Sequence, residues 1–257
     1  MKALVSQAQA ELKLFMRDKT VVLFSLVFPV LTVAFFGYLN RGVKVSQGDA
    51  SQGSAVGSEV SYASFLIAGG IGMVVSSAAF QNLSVALARE RDLGILKRLG
   101  GTPLKIQTLV GAKMLTAAVV ILAQALIMVV VNVVLFDAEI GGSLLWGLVA
   151  LVVGVLAFST MGIALAGLCR DADVASAAGL AIALPMQFLC GTLFPLEGMP
   201  PLLRHIAQAL PLTYFVEALR GAMLTGGGPA EYARDWIILL GCLAIAFFVA
   251  VKTFRWE

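Results

Sequence analysis

Six stretches of this sequence, roughly 20–39, 60–84, 107–136, 143–169, 174–194 and 236–253, are apolar over a length that few soluble folds can use. A hydrocarbon core of ~30 Å takes ~20 helical residues to cross, and each stretch meets that length. Lipid offers the backbone no hydrogen-bond partners, so such stretches must satisfy their own N–H and C=O groups as helices. Only 13% of the residues are charged, against roughly 25% in soluble proteins. The expected fold is an all-α integral membrane protein with six transmembrane helices, a single domain over residues 1–257. Pro29 and Pro185 fall inside the first and fifth spans, where they kink a helix without ending it. Small residues crowd spans two, four and five, as at Gly69, Gly70 and Gly72 or Gly162, Ala166 and Gly167, and predict close helix packing. Segment 40–59, rich in Gly and Ser, reads as a polar flexible loop.

Residues 1–19 carry Leu4, Ala8, Leu12, Phe15 and Met16 at helical spacing, with Lys2, Gln9, Lys13 and Arg17 elsewhere. This is an interfacial helix, expected to lie along the membrane surface. A signal peptide would also start basic and turn apolar, but the run 21–39 is too long and no small-residue cleavage site follows it.

The dense run of charge is Arg89-Glu90-Arg91-Asp92, followed by Leu93 to Leu104. A charge at the centre of a membrane helix costs about 2.5–3.5 kcal/mol even on lenient scales, so the run belongs in water. Leu93, Leu96 and Leu99, with Ile95 beside them, predict a short helix with one apolar stripe. Gly100-Gly101 stops it, and Thr102-Pro103 supplies an N-cap and a first-turn proline for the next helix. The region 84–105, between spans two and three, is therefore expected to be a docking element. Thirteen of the eighteen Lys and Arg residues fall on the side that holds this run and both chain termini, which the positive-inside rule assigns to the cytoplasm.

The net charge of +3 is too small to argue for a nucleic-acid partner. There is no phosphate-binding G-x-x-x-x-G-K-[ST] loop, no H-E-x-x-H, and no carboxylate near the centre of a span. Lys113, two turns into span three, is the one deep charge and is expected to snorkel to the cytoplasmic surface. Gln81, Asn82, Gln124, Asn132 and Gln187 read as helix–helix hydrogen-bonding groups. His205 reads as a structural or pH-titrating group, and Cys169, Cys190 and Cys242 as small hydrophobes without metal-ligand spacing. No catalytic or metal constellation emerges, so any driving energy has to come from another polypeptide.

Segment 194–224 is cut by Pro195, Pro200, Pro201 and Pro211 into pieces too short to span. They predict two short helices, near 200–209 and 212–224, at or dipping into the outer leaflet. Glu197, Arg204, Glu217 and Arg220 put four charges of alternating sign there, either paired to fix the hairpin or forming an external gate.

Surface helix, six spans, a charged helix between spans two and three, and a broken hairpin before span six together resemble the membrane subunits of ABC-2 type exporters, including the daunorubicin-resistance-type permeases. The residues that carry the resemblance are Arg89-Glu90-Arg91-Asp92 with Gly94 and Leu96, then Thr102-Pro103-Leu104. On the outer side they are Phe194-Pro195, Met199-Pro200, Leu210-Pro211-Leu212-Thr213 and Leu219-Arg220-Gly221. Lys97 departs from the acidic residue that many members carry after the leucine.

The resemblance implies a non-catalytic half-transporter in the bacterial cytoplasmic membrane with both termini cytoplasmic. Its implied partners are two cytoplasmic ABC ATPase subunits, which bind ATP and Mg, a second permease subunit (identical or a close paralogue), and membrane lipid. It further implies a coupling helix in which Arg89, Glu90, Arg91, Asp92, Gly94, Leu96, Arg98, Thr102 and Pro103 meet the ATPase. By the same resemblance spans two and five would face each other across the subunit interface, and the substrate path between them would be lined by Met73, Ser77, Phe80, Leu184, Gln187 and Phe188 and suit a drug-like or lipid-like amphiphile. An ion- or proton-coupled carrier or channel without an ATPase is the alternative.

Overall fold

The computed structural model describes residues 2–17, 19–46, 59–100, 106–228 and 230–253. It is mostly helical. Helix α1 (Lys2–Arg17) is followed at once by α2 (Lys19–Leu39), and a two-stranded antiparallel ladder of β1 (Lys44–Ser46) and β2 (Glu59–Ser61) follows. The 40–59 segment thus has structured ends, with Val45 opposite Val60, where a wholly flexible loop was expected. Residues 47–58 lie outside the described residues.

Next comes α3 (Tyr62–Val75), a π-helical segment (Ser76–Asn82) and α4 (Leu83–Asp92), one unbroken helix of 31 residues. The remaining helices are α5 (Ile95–Gly100), α6 (Ile106–Phe136), α7 (Leu144–Leu168), α8 (Ala172–Leu189), α9 (Pro201–Ala209), α10 (Pro211–Arg220) with a second π segment (Gly221–Thr225), and α11 (Ala233–Thr253). Among the described residues five helices are long and apolar enough to cross a membrane: Tyr62–Asp92, α6, α7, α8 and α11; α2 contributes the shorter apolar stretch Val27–Leu39. This is a multi-pass membrane protein.

The helix Tyr62–Asp92 is the axis of the fold. All of α3 is buried, whereas α2, α6, α8 and α11 turn large apolar side chains outward, among them Phe28, Leu126, Phe188 and Ile245. An apolar exterior is stable only against lipid. The predicted packing role of small residues holds at specific contacts. A Cβ at Gly162 of α7 would lie 2.6 Å from the Phe80 carbonyl oxygen and 2.9 Å from that of Ala79, so the bare backbone is what lets the π segment lie against α7. One at Gly69 would overlap the backbone of Thr192, and one at Gly154 the ring of Phe215.

The broken region before α11 forms the two short helices the prolines predict, with Pro201 and Pro211 each in a first turn. Residues Leu212–Val216 of α10 are buried, wedged among α3, α7 and α11. The Phe215 ring meets Phe158 edge-on at 6.0 Å. The π segment that ends α10 leaves carbonyls without intrahelical partners. Those of Met223 and Ala222 accept from the N–H groups of Gly142 (2.9 Å) and Ser143 (2.8 Å) at the start of α7.

Candidate functional site

Two ends of the bundle are defined by what is tied together there. At one end the Tyr62 hydroxyl donates to the Leu193 carbonyl at 2.6 Å, and Arg41 to that of Leu135 at 3.3 Å. At the other end lies the charged run.

The sequence predicts a charged helix starting near 84, separate from span two and continuous through Leu99. Instead the charges occupy the last turn of the long helix, which stops at Leu93-Gly94. Gly94 adopts φ +67° and its N–H donates to the Arg91 carbonyl at 2.8 Å, a left-handed glycine termination. The stop resets the phase of the expected apolar stripe: Leu93 and Ile95 are exposed while Leu96 is 2% exposed. A Cβ on Gly94 would meet nothing within 4 Å among the described residues, and the positive φ is what calls for glycine there. Thr102 and Pro103 lie outside the described residues.

Three consecutive side chains of α4 reach three different neighbours. Glu90 Oε1 accepts from Lys113 Nζ of α6 at 2.5 Å, and the same Nζ donates to Glu11 Oε1 of α1 at 2.9 Å. Lys113 is 4% exposed: it does not snorkel to the surface as expected but is held between two carboxylates. The Arg91 guanidinium donates to the carbonyls of Ala166 (2.9 Å) and Cys169 (2.7 Å) at the end of α7, where unpaired carbonyls carry the negative end of the helix dipole. Asp92 Oδ2 accepts from the Ala172 N–H of α8 at 2.7 Å.

The turn between α7 and α8 is thereby gripped from outside, and Asp171 grips it from within by accepting from the Val174 N–H at 2.8 Å. That backbone hydrogen bond, with Arg170 beside it, holds the Asp171 carboxyl below the usual aspartate range. Nearby, burial pushes the Cys169 thiol up, while Arg91 acts in the opposite direction. Glu90, Arg91 and Asp92, expected to point at a partner, are therefore engaged within the chain. Arg89, Lys97 and Arg98 are exposed.

The expected substrate-path residues separate in a similar way. α8 packs against α4 and the π segment of its own chain, with Gly179 beside Gln81 and Ser84, so spans two and five meet inside one subunit. Met73, Phe80 and Gln187 are buried and Ser77 is half-buried, its hydroxyl donating to the Val74 carbonyl at 3.1 Å. Leu184 and Phe188 are exposed. Gln124 bridges helices as predicted, donating to Ser25 of α2 at 3.2 Å.

At the opposite end Arg220 is buried, 7% exposed. It donates to the Gly191 carbonyl at 2.7 Å and lies 3.8 Å from the centre of the Phe65 ring, an arrangement that combines a charge-assisted hydrogen bond with a cation–π contact. Arg204 and Glu217 are half-buried, and the Glu197 side chain lies outside the described residues. His205 bonds its own helix through Nδ1 to the Pro201 carbonyl at 2.6 Å. Cys190, in the turn after α8, is fully buried, and that burial pushes its thiol up to about 12.

A family model described as "ABC-2 type transporter" matches residues 3–224. Among curated proteins, nodulation protein J of Neorhizobium galegae is 29% identical over 204 residues, 76% of this chain and 74% of that protein. ABC transporter G family member 20 of Dictyostelium discoideum is 27% identical over 192 residues, 73% of this chain and 26% of that one. The inner membrane transport permease YhhJ of Escherichia coli K12 is 25% identical over 171 residues, 66% and 46% respectively. The chain thus spans about three quarters of the first relative, and half or less of the other two.

Proposed function

This chain belongs to the ABC-2 type transporter family, hence to the permease subunits that work with an ABC ATPase, and we propose that it moves an amphipathic, drug-like or lipid-like substrate outward by alternating access. The cargo-moving helices carry no energy source of their own. ATP and Mg sit on the ATPase, two copies of which serve a pair of permease subunits, identical or closely related. The relatives described as inner membrane permeases support a bacterial inner membrane location.

In this reading α2 is the sixth span, α1 lies along the cytoplasmic surface, α5 is cytoplasmic, and α9 with α10 forms a re-entrant hairpin on the outside. Both ends of the chain are cytoplasmic. Moving a two-state transporter from 1:99 to 99:1 requires about 5.5 kcal/mol of differential binding, which has to pass through a stiff connection.

The observation that carries this reading is the arrangement around Gly94. A short cationic helix, α5, presents exposed Lys97 and Arg98 beyond a single glycine joint, while the preceding Glu90, Arg91 and Asp92 are anchored to α6, α7 and α8. A push on α5 therefore reaches three spans through one helix end. Contact with the ATPase falls to Arg89, Lys97 and Arg98, with Leu96 packing α5 onto the bundle. Leu184 and Phe188 are the members of the expected path open to a cargo or a second subunit. Arg204 and Glu217, with Glu197, remain the candidates for an external gate, and Arg220 acts as its fixed base.

Charge reversal at Arg89 and Arg98 should lower capture of the ATPase by the tagged permease at least tenfold, with the permease still inserted at native levels. Unchanged capture would remove α5 from the interface. Substrate movement down an ion gradient by the chain expressed without any ATPase would establish the carrier alternative instead.

A further inference from the structure

Lys113 is the deepest cation along the described spans, and two helices far apart in sequence converge on it. Its ammonium holds Glu11 of α1 and Glu90 of α4 at 2.9 and 2.5 Å. One turn further along α6, the Thr116 hydroxyl bonds the Ala8 carbonyl of α1 at 3.1 Å. Glu90 Oε2 is buried with no hydrogen-bond partner among the described residues. A buried carboxylate left half-satisfied is held in place only as long as its cation stays with it. Two carboxylates sharing one lysine also repel each other once that lysine moves away.

Separation of α1 from α4 therefore pulls Glu11 or Glu90 off the ammonium they share, and the carboxylate that leaves loses its only ion-pair partner among the described residues. We propose that Lys113 is a positioning residue of the coupling machinery: it makes α1 and the inner end of α4 move as one body when the ATPase drives α5. The proposal rests on the permease reading. It adds that the surface helix is carried with the lever, so its depth in the membrane changes during each cycle.

The test places spin labels at Leu14 of α1 and Ala86 of α4, both exposed, in a background with Cys169, Cys190 and Cys242 replaced by alanine. The purified complex with its co-purifying ATPase is measured nucleotide-free and after trapping with ATP and vanadate. In the native charge background the distance distribution between the two labels stays the same in both states. In the neutral triple variant Glu11→Gln, Glu90→Gln, Lys113→Met, which removes every charge and so avoids a buried unpaired ion, the complex assembles but the distribution broadens and shifts on trapping. Lys113→Arg, which keeps the cation, behaves as native.

A shift on trapping in the native background overturns the proposal, as does a fixed distance in the neutral triple variant. Failure to trap nucleotide at all would count against the permease reading, not the clamp.

Discussion

Replacing Arg91 with methionine separates an internal anchor from a docking residue. Its guanidinium makes two charge-assisted hydrogen bonds, to Ala166 and Cys169 at 2.9 and 2.7 Å, from a side chain only 11% exposed. Bonds of this kind contribute about 1.5–3 kcal/mol each, and methionine keeps most of the packing volume while providing neither. The expected loss is about 3–5 kcal/mol. At a few degrees per kcal/mol for a chain of this size, that lowers the melting temperature by roughly 10 °C.

Lysine at the same position reaches one carbonyl at a time and should recover about half of the loss. The assay is thermal unfolding of the purified permease alone, in detergent, followed by capture of the ATPase at a temperature where the variant is still folded. If the methionine variant melts with the native protein yet fails to capture the ATPase, Arg91 faces the partner and its assigned anchoring role is wrong.

Ser159→Ala and Ser76→Ala should be neutral or stabilising by up to about 1 kcal/mol in the same unfolding assay, because each hydroxyl is buried with no hydrogen-bond partner among the described residues and removing such a group relieves its desolvation cost. Gly154→Ala should destabilise by about 1–3 kcal/mol, since the added methyl overlaps the Phe215 ring; Phe215→Leu in the same chain should recover part of that loss. Cys190 should resist N-ethylmaleimide at pH 8 in native membranes and react after denaturation in SDS, because burial raises its thiol to about 12 and keeps it protonated far above its ordinary range. Labelling in the native state would contradict its place in the core.

The multi-pass helical character was legible because bilayer thickness imposes a length on apolar runs, and the short helices before α11 were legible because proline favours a helix's first turn when polar or turn residues precede it. Pro201 and Pro211 announced α9 and α10 for that reason. Gly94 was harder to place. Leu93, Leu96 and Leu99 keep helical spacing across it, and only the backbone shows that the helix has ended and restarted.

The π segment left no compositional trace at all, since Ser76 to Asn82 would suit an ordinary helix. Its sign is the close approach of Gly162, which is tertiary. The role of Lys113 was misread for a related reason: snorkelling is what an isolated lysine does, and its partner Glu11 lies 102 residues away in sequence. The charged run was visible in the sequence and the intrachain contacts of Glu90, Arg91 and Asp92 were not, because an ion-rich helix end looks the same whether it meets a partner or its own neighbours.

The π turn inside the central helix sets the azimuth of everything after it. Each residue of an α-helix turns the chain by about 100°, and the wide turn at Ser76–Asn82 already holds one residue more than a regular turn, so inserting a further residue just after Asn82 would rotate everything that follows. Leu83 to Asp92 would then face a different quadrant. Glu90 would lose Lys113, Arg91 the end of α7, and Asp92 the start of α8, all in one step and with no charged residue altered. A one-residue insertion at this point should yield a chain that still inserts in the membrane yet cannot assemble its cytoplasmic end.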